Sequence, residues 1–284
     1  IPLLMRGSPE LVRAREAAIG WKKLSPAFAR LPTPWPVVCM LIYQLIKMRC
    51  EEAAQAVALT FVLYLRPSET LGLTAACLAP PSRLGRTTTD KWCITLHPSE
   101  AAVASKTGEF DCSLMVDNPD FPLMPALLNM LKLRGQAKSA QLTTRIFSIT
   151  YRQWSAHYAE AARLLTLESF GSSGVHLLPM LYQLRHGGAN HELATRRREI
   201  TALAKRGRWA SIASLRRYEK GCRLTELVSR LSPAQTAPAE DCQSRIGEIL
   251  CATFPVTPHD TDRSSSCSSP ALADGRPRGG RLPR

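Results

Sequence analysis

The chain has 284 residues, with 37 Lys and Arg against 23 Asp and Glu, for a net charge of +14. At 45% apolar and 21% charged residues its composition is that of a globular protein, which excludes wholesale disorder and fibrous structure. The longest nearly apolar run, Ala53 to Leu65, falls short of the ~18–20 residues that a membrane span needs. The chain opens on Ile1, and no basic region, apolar stretch and small-residue cleavage site follow in order. A fragment without membrane or secretory segment is expected.

In chain order, Ser8-Pro9-Glu10 reads as an N-cap, an N1 proline and an acidic first turn, predicting a helix to Lys22 or Lys23. Pro26, Pro32, Pro34 and Pro36 then exclude a helix interior and predict a linker. Helices are predicted over 36–48 and 51–65, with a short third from Pro67 to Gly72. The stretch 79–89 reads as a loop. Segments Trp92–Leu96, Ala101–Ser105 and Cys112–Val116, with a turn at Thr107-Gly108-Glu109, predict a small antiparallel sheet or hairpin. Helices return at 122–134 and at 150–166, where Trp154, Tyr158, Ala161 and Leu165 make one apolar stripe. Further helices are predicted at 179–195, 199–206, 211–219 and 223–231. From Ser232 the composition shifts to Ser, Pro, Ala, Thr and Gly, interrupted by an apolar patch at Ile246, Ile249 and Leu250. The expected fold is mainly α, of the α+β kind. It falls into an N-terminal helix and linker (1–34), a main domain (35–231) and a largely disordered tail (232–284).

The cysteines number nine, an odd count, and no C-x-x-C occurs. Reduced thiols in an intracellular protein are expected, and no disulfide framework or metal site. The basic excess makes a polyanion the expected partner. Half of the net charge lies between Arg185 and Lys220, where Arg185, Arg196, Arg197, Arg198, Lys205, Arg206, Arg208, Arg216, Arg217 and Lys220 face only Glu192, Glu199 and Glu219. Such a cationic window on short helices is expected to contact phosphates.

Four stretches then stand out. They are Tyr64-Leu65-Arg66-Pro67-Ser68-Glu69-Thr70-Leu71-Gly72-Leu73, the turn Ser105-Lys106-Thr107-Gly108, Tyr182-Gln183-Leu184-Arg185-His186-Gly187-Gly188-Ala189, and Arg206-Gly207-Arg208-Trp209 followed nine residues after the Trp by Tyr218. In this order, over roughly residues 35–230, the chain resembles the catalytic domain of the tyrosine recombinase (phage integrase) family. The Arg-Gly-Arg-Trp form is similar to eukaryotic mobile-element versions.

The resemblance implies a helical catalytic domain with a small antiparallel sheet, and DNA strand cleavage and rejoining in recombination or integration. By that resemblance Tyr218 attacks the scissile phosphate and forms a phosphotyrosyl link. Arg66 and Arg185 hold the non-bridging oxygens, a task suited to the planar guanidinium fork. Lys106 protonates the departing 5′ oxygen, and Trp209 stands where the family has His or Trp. His186, Arg196, Arg197, Arg198, Lys205, Arg206, Arg208, Arg216 and Arg217 are the expected DNA contacts. No metal or other cofactor is implied, because the arginines take the place of a divalent cation.

The implied partner is double-stranded DNA, with self-association as a tetramer on it, no membrane, and a nuclear location if the source is eukaryotic. Tyr182 departs from the family's usual His, and a phenol is a poor base near neutral pH. The base role then passes to His186 or His176, or is lost. Arg208 replaces a usual glycine, and the family's N-terminal domain is expected to be absent or reduced to residues 1–24. These departures leave an alternative: a non-cleaving, DNA-binding relic of a mobile-element recombinase.

Overall fold

The structure is a computed structural model that describes residues 9–24, 31–84, 87–101, 105, 108, 110–138, 143–168, 178–209 and 221–253. Its helices are α1 (Pro9–Leu24), α2 (Trp35–Lys47), α3 (Glu51–Val62), α4 (Pro67–Leu71), α5 (Met124–Lys138), α6 (Tyr151–Leu164), α7 (Leu181–Ala194), α8 (Ile200–Gly207), α9 (Gly221–Ser229), α10 (Pro233–Ser244) and α11 (Ile246–Cys251). Between α4 and α5 run β1 (Leu78–Ala79), β2 (Ser82–Leu84), β3 (Thr87–Thr89), β4 (Cys93–Leu96) and β5 (Cys112–Met115). The fold is therefore mainly helical with a small antiparallel sheet.

Helix α3 is the centre of the domain. Every residue from Ala53 to Val62 is buried, and a helix apolar on all sides belongs in an interior. It packs against α2, α6 and α7. The α7 contact is backbone to backbone, because a Cβ added at Gly188 would collide with the carbonyl oxygen of Phe61. Trp35 at the start of α2 stacks on Phe61, ring centroids 4.8 Å apart, and meets Phe121 edge-on at 4.8 Å. These rings seal the end of the core where α2, α3 and the strand-to-helix connection before α5 converge.

The sheet has the order β1-β4-β5, with β2 and β3 forming a separate hairpin. Both pairings in the three-stranded sheet are antiparallel, with Leu78 opposite Ile94 and Ile94 opposite Leu114. These three side chains are buried, so one register puts the apolar face inward.

Three expectations are corrected. The stretch 79–89, expected as loop, carries the β2–β3 hairpin. Within the expected strand Ala101–Ser105, Ala101 instead ends a single 3₁₀ turn, and residues 102–104 lie outside the described set. The sheet's third strand comes from Leu78–Ala79, directly after the 3₁₀ turn at Ala75–Cys77. Residues 233–251, expected within a disordered tail, form α10 and α11, both packed on α2. Ser232 and Gln235 make a reciprocal capping box with Pro233 in the first turn, and Ala239, Cys242, Ile249 and Leu250 are buried. A small-residue stripe with a good cap suffices where the partner helix is strongly apolar. The predicted helix 211–219 and residues 254–284 lie outside the described residues. No helix among the described residues is long and apolar enough to cross a membrane.

Candidate active site

The site begins where α3 ends. Tyr64 sits in the left-handed region, φ 50°, a turn that brings the chain round to Arg66 and the proline-started α4. Glu69, three residues on, closes a cap by accepting from the Arg66 backbone N–H at 2.6 Å through Oε2. The Arg66 Nη1 donates to Oε1 of the same carboxylate, also at 2.6 Å. Glu69 is thereby held with its side chain only 2% exposed, whereas the Arg66 side chain keeps 19%.

Two further guanidinium groups reach this carboxylate. Arg185, from the buried face of α7, lies with Nη1 3.8 Å from Glu69 Oε2, its side chain 1% exposed. Arg208 donates from Nη2 to Oε2 at 2.5 Å and is 5% exposed. Arg185 also donates to the carbonyl oxygens of Tyr64, at 2.5 Å, and Gly207. Trp209 covers it, with the Arg185 Cζ 4.7 Å from the ring centroid, and stacks in turn on Tyr64. Gly207 is required beneath this ring, since any Cβ there would run into the Trp209 indole. Arg66, Arg185 and Arg208, from three separate stretches of sequence, thus meet at one buried carboxylate, and Trp209 covers Arg185.

The electrostatics follow from the count of charges. Burial pushes the Glu69 carboxyl up, but Arg208, the Arg66 N–H, and then the Arg66 and Arg185 side chains outweigh it and hold it below its ordinary range. Burial, reinforced by Arg208 and Arg66, lowers Arg185 to about 10, against the opposing pull of Glu69 and the Tyr182 phenol. Burial also lowers Arg208, again partly offset by Glu69. Three cations around one anion in a dry place form a positive field that one carboxylate leaves uncompensated.

The sheet borders this cluster. His97, following β4, places Nε2 3.8 Å from Glu69 Oε1 and its carbonyl accepts from the Asp111 N–H at 2.9 Å. Within the connection to β5, the Gly108 N–H donates to the Ser105 carbonyl at 2.9 Å, with Gly108 at φ 80°. Lys106 itself lies outside the described residues, as do Tyr218, Arg216 and Arg217. Tyr182 is half-buried on α7 and meets His186 edge-on, ring centroids 5.0 Å apart.

The structure places the expected DNA contacts in varied surroundings. His186 is buried on the inner part of α7. Arg206 is buried and donates to the Met115 carbonyl at 2.7 Å and to Asp117 at 3.2 Å. Arg198 pairs with Glu192 at 2.6 Å and with Asp117. Arg197 makes a two-pronged pair with Asp120 through Nε at 3.1 Å and Nη2 at 2.7 Å. Arg208 turns inward to Glu69. The reason is tertiary: Asp117 and Asp120 arrive from the segment after β5 and supply the carboxylates that the window 185–220 lacks. Arg196, Arg197 and Lys205 are exposed.

Glu69 and His97 are site residues that the sequence reading passed over. Glu69 had a signal, since an acid three residues after an N-cap position is the pattern of a reciprocal cap; His97 had none. No group of His, Cys, Asp and Glu suited to a metal ion occurs among the described residues. What the arrangement does chemically is hold an oxyanion among rigid guanidinium forks, backed by an indole.

No family model matches the chain, and no curated protein matches it. Among solved structures, it is similar to a complex of the XerH site-specific recombinase bound to palindromic difH substrate after cleavage. That match has a TM-score of 0.46 at 14% identity and covers 71% of this chain and 53% of the other. The pre-cleavage complex of XerH with difH substrate gives a TM-score of 0.44 at 15% identity, over the same shares. The chain spans about half the length of those recombinase chains.

Proposed function

We propose that this chain cleaves and rejoins DNA strands in site-specific recombination through a covalent phosphotyrosyl intermediate. The observation that carries the proposal is the meeting of Arg66 and Arg185 on Glu69 beneath Trp209. Residues from distant motifs have no need to converge in a protein that is merely basic. In this reading the Tyr218 hydroxyl gives its proton to a base, His186 or His176, as its oxygen bonds to the phosphorus; the bond to the 5′ oxygen breaks, and Lys106 gives that oxygen its proton. Arg66 and Arg185 stabilise the charge on the non-bridging oxygens during the step. Residues 35–231 are the catalytic domain, working as a tetramer on two duplexes, of a mobile-element kind.

The test is a nicked suicide duplex whose cleaved strand diffuses away and traps the enzyme. The parent protein is expected to form a covalent adduct stable to denaturation, and Tyr218→Phe none. No adduct from the parent, with duplex binding that falls steeply with salt, would instead establish the non-cleaving relic. Tyr182 favours that second reading, because a phenol is a weak base in the position it fills.

A further inference from the structure

We propose that Arg208 is a third guanidinium of the oxyanion site, acting with Arg66 and Arg185 on the same bound phosphate. This rests on reading the Glu69 cluster as a phosphate site and adds a residue to it. The first observation is conformational. Arg208 ends α8 in the left-handed region, φ 53° and ψ 46°, where glycine is free of strain and an arginine is disfavoured. A helix cap alone gives no reason to keep the longest cationic side chain there.

The second observation is where that side chain goes. Instead of reaching into solvent from the helix end, it folds back onto Glu69 Oε2 and the Arg206 carbonyl, the latter at 3.2 Å from Nη1. Tyr64, also left-handed, turns its carbonyl toward both Arg185 and Arg208, at 2.5 and 3.5 Å.

The third is what is left over. The Nε groups of Arg185 and Arg208 are buried and find no hydrogen-bond partner among the described residues. The neighbouring carboxylates, Asp117 and Glu192, are taken by Arg198 and Arg206. Buried donors and surplus positive charge in one place are complementary to an anion with several acceptor oxygens. A phosphodiester has this character and a single carboxylate does not exhaust it.

The test compares the parent with Arg208→Gly and Arg208→Asn, both at ease in the left-handed region. Thermal melting is followed in sodium phosphate and in sodium chloride at matched ionic strength. Phosphate is expected to raise the parent's melting temperature above its value in chloride. In chloride, both variants are expected to melt no lower than the parent, since strain and cation repulsion are relieved. In phosphate their extra stabilisation disappears, an affinity loss of about tenfold or more. A parent without a phosphate-specific rise, or a variant that keeps the full rise, overturns the proposal. A plain salt-bridge role predicts the reverse pattern, with variants melting lower in chloride and responding to phosphate as the parent does. The suicide-duplex assay separates this from the cleavage reading. A parent adduct together with an unchanged phosphate response in the variants sinks Arg208 alone, whereas no parent adduct together with an Arg208-dependent response sinks cleavage alone.

Discussion

Trp209 lies over the guanidinium of Arg185, Cζ 4.7 Å from the ring centroid, while that guanidinium donates to the carbonyl oxygens of Tyr64 and Gly207. One cation therefore ties the end of α3, the middle of α7 and the end of α8 together. The charge is fixed in place before any ligand arrives, which is what an electrostatic site requires, because no reorganisation is then needed on binding.

Removing the indole should loosen this junction. Trp209→Ala loses the stacking on Arg185 and Tyr64 and is expected to destabilise the protein by about 3 kcal/mol. Trp209→Phe keeps most of the contact and is expected to lose about 1 kcal/mol. Urea denaturation of the three proteins checks the order. An alanine variant as stable as the parent would mean that the ring is an ornament on a junction held by other contacts.

The Asp117 carboxylate serves both Arg198 and Arg206, and Arg206 also holds the Met115 carbonyl at the end of β5. This link fastens the sheet to α8, and so to the helix end that presents Trp209. A double-mutant cycle with Asp117→Asn and Arg206→Met is expected to give a coupling energy of about 1–2 kcal/mol. Strict additivity of the two losses would show that the sheet and α8 are held independently.

Much of this site was legible in the sequence, and the limits have physical causes. Arg66, Arg185 and Trp209 could be picked out only together, because the short stretches that carry them follow one another in an order that resembles the tyrosine recombinase family. The start of α4 at Pro67 was legible from the proline itself, whereas Pro34 and Pro36, which read as linker, cap and begin α2. What no local pattern encodes is which carboxylate a cation meets. Arg198 and Arg206 read as DNA contacts, and nothing local showed that the fold brings Asp117 to them across some eighty to ninety residues of chain. Likewise α10 has few large apolar residues, and its burial depends on the apolar face that α2 offers.

The crossing of α3 and α7 depends on the absence of a side chain at Gly188, whose added Cβ would meet the Phe61 carbonyl oxygen. Helix backbones cannot separate there without moving Arg185, three residues earlier on the same helix. Gly188→Ala is expected to destabilise by about 3 kcal/mol or to prevent folding. Ala189, next in sequence and already buried, serves as the control site, where Ala189→Gly should cost only about 1 kcal/mol. Equal effects at the two positions would mean that helix propensity, and not the close approach, governs this crossing.

Glu69 sets the pH dependence. Its carboxyl is held below the ordinary range in the folded protein, with burial opposing and the arginines prevailing. A carboxylate depressed by folding contributes stability that is complete above its unfolded value, about 4.3, and is lost as pH falls through the lower folded value. Glu69→Gln keeps an acceptor for the Arg66 N–H but leaves three guanidinium groups around a neutral amide. At pH 7 the variant is expected to be less stable by about 3 kcal/mol, since an uncompensated buried charge remains when one partner is removed. That deficit should stay constant down to about pH 5 and shrink below about pH 4, where the parent's own carboxylate takes up its proton. Urea denaturation of both proteins at stepped pH reads the difference directly. A deficit of the same size at pH 7 and pH 3 would mean that Glu69 acts by shape and hydrogen bonding, and that its charge does not hold the arginines in place.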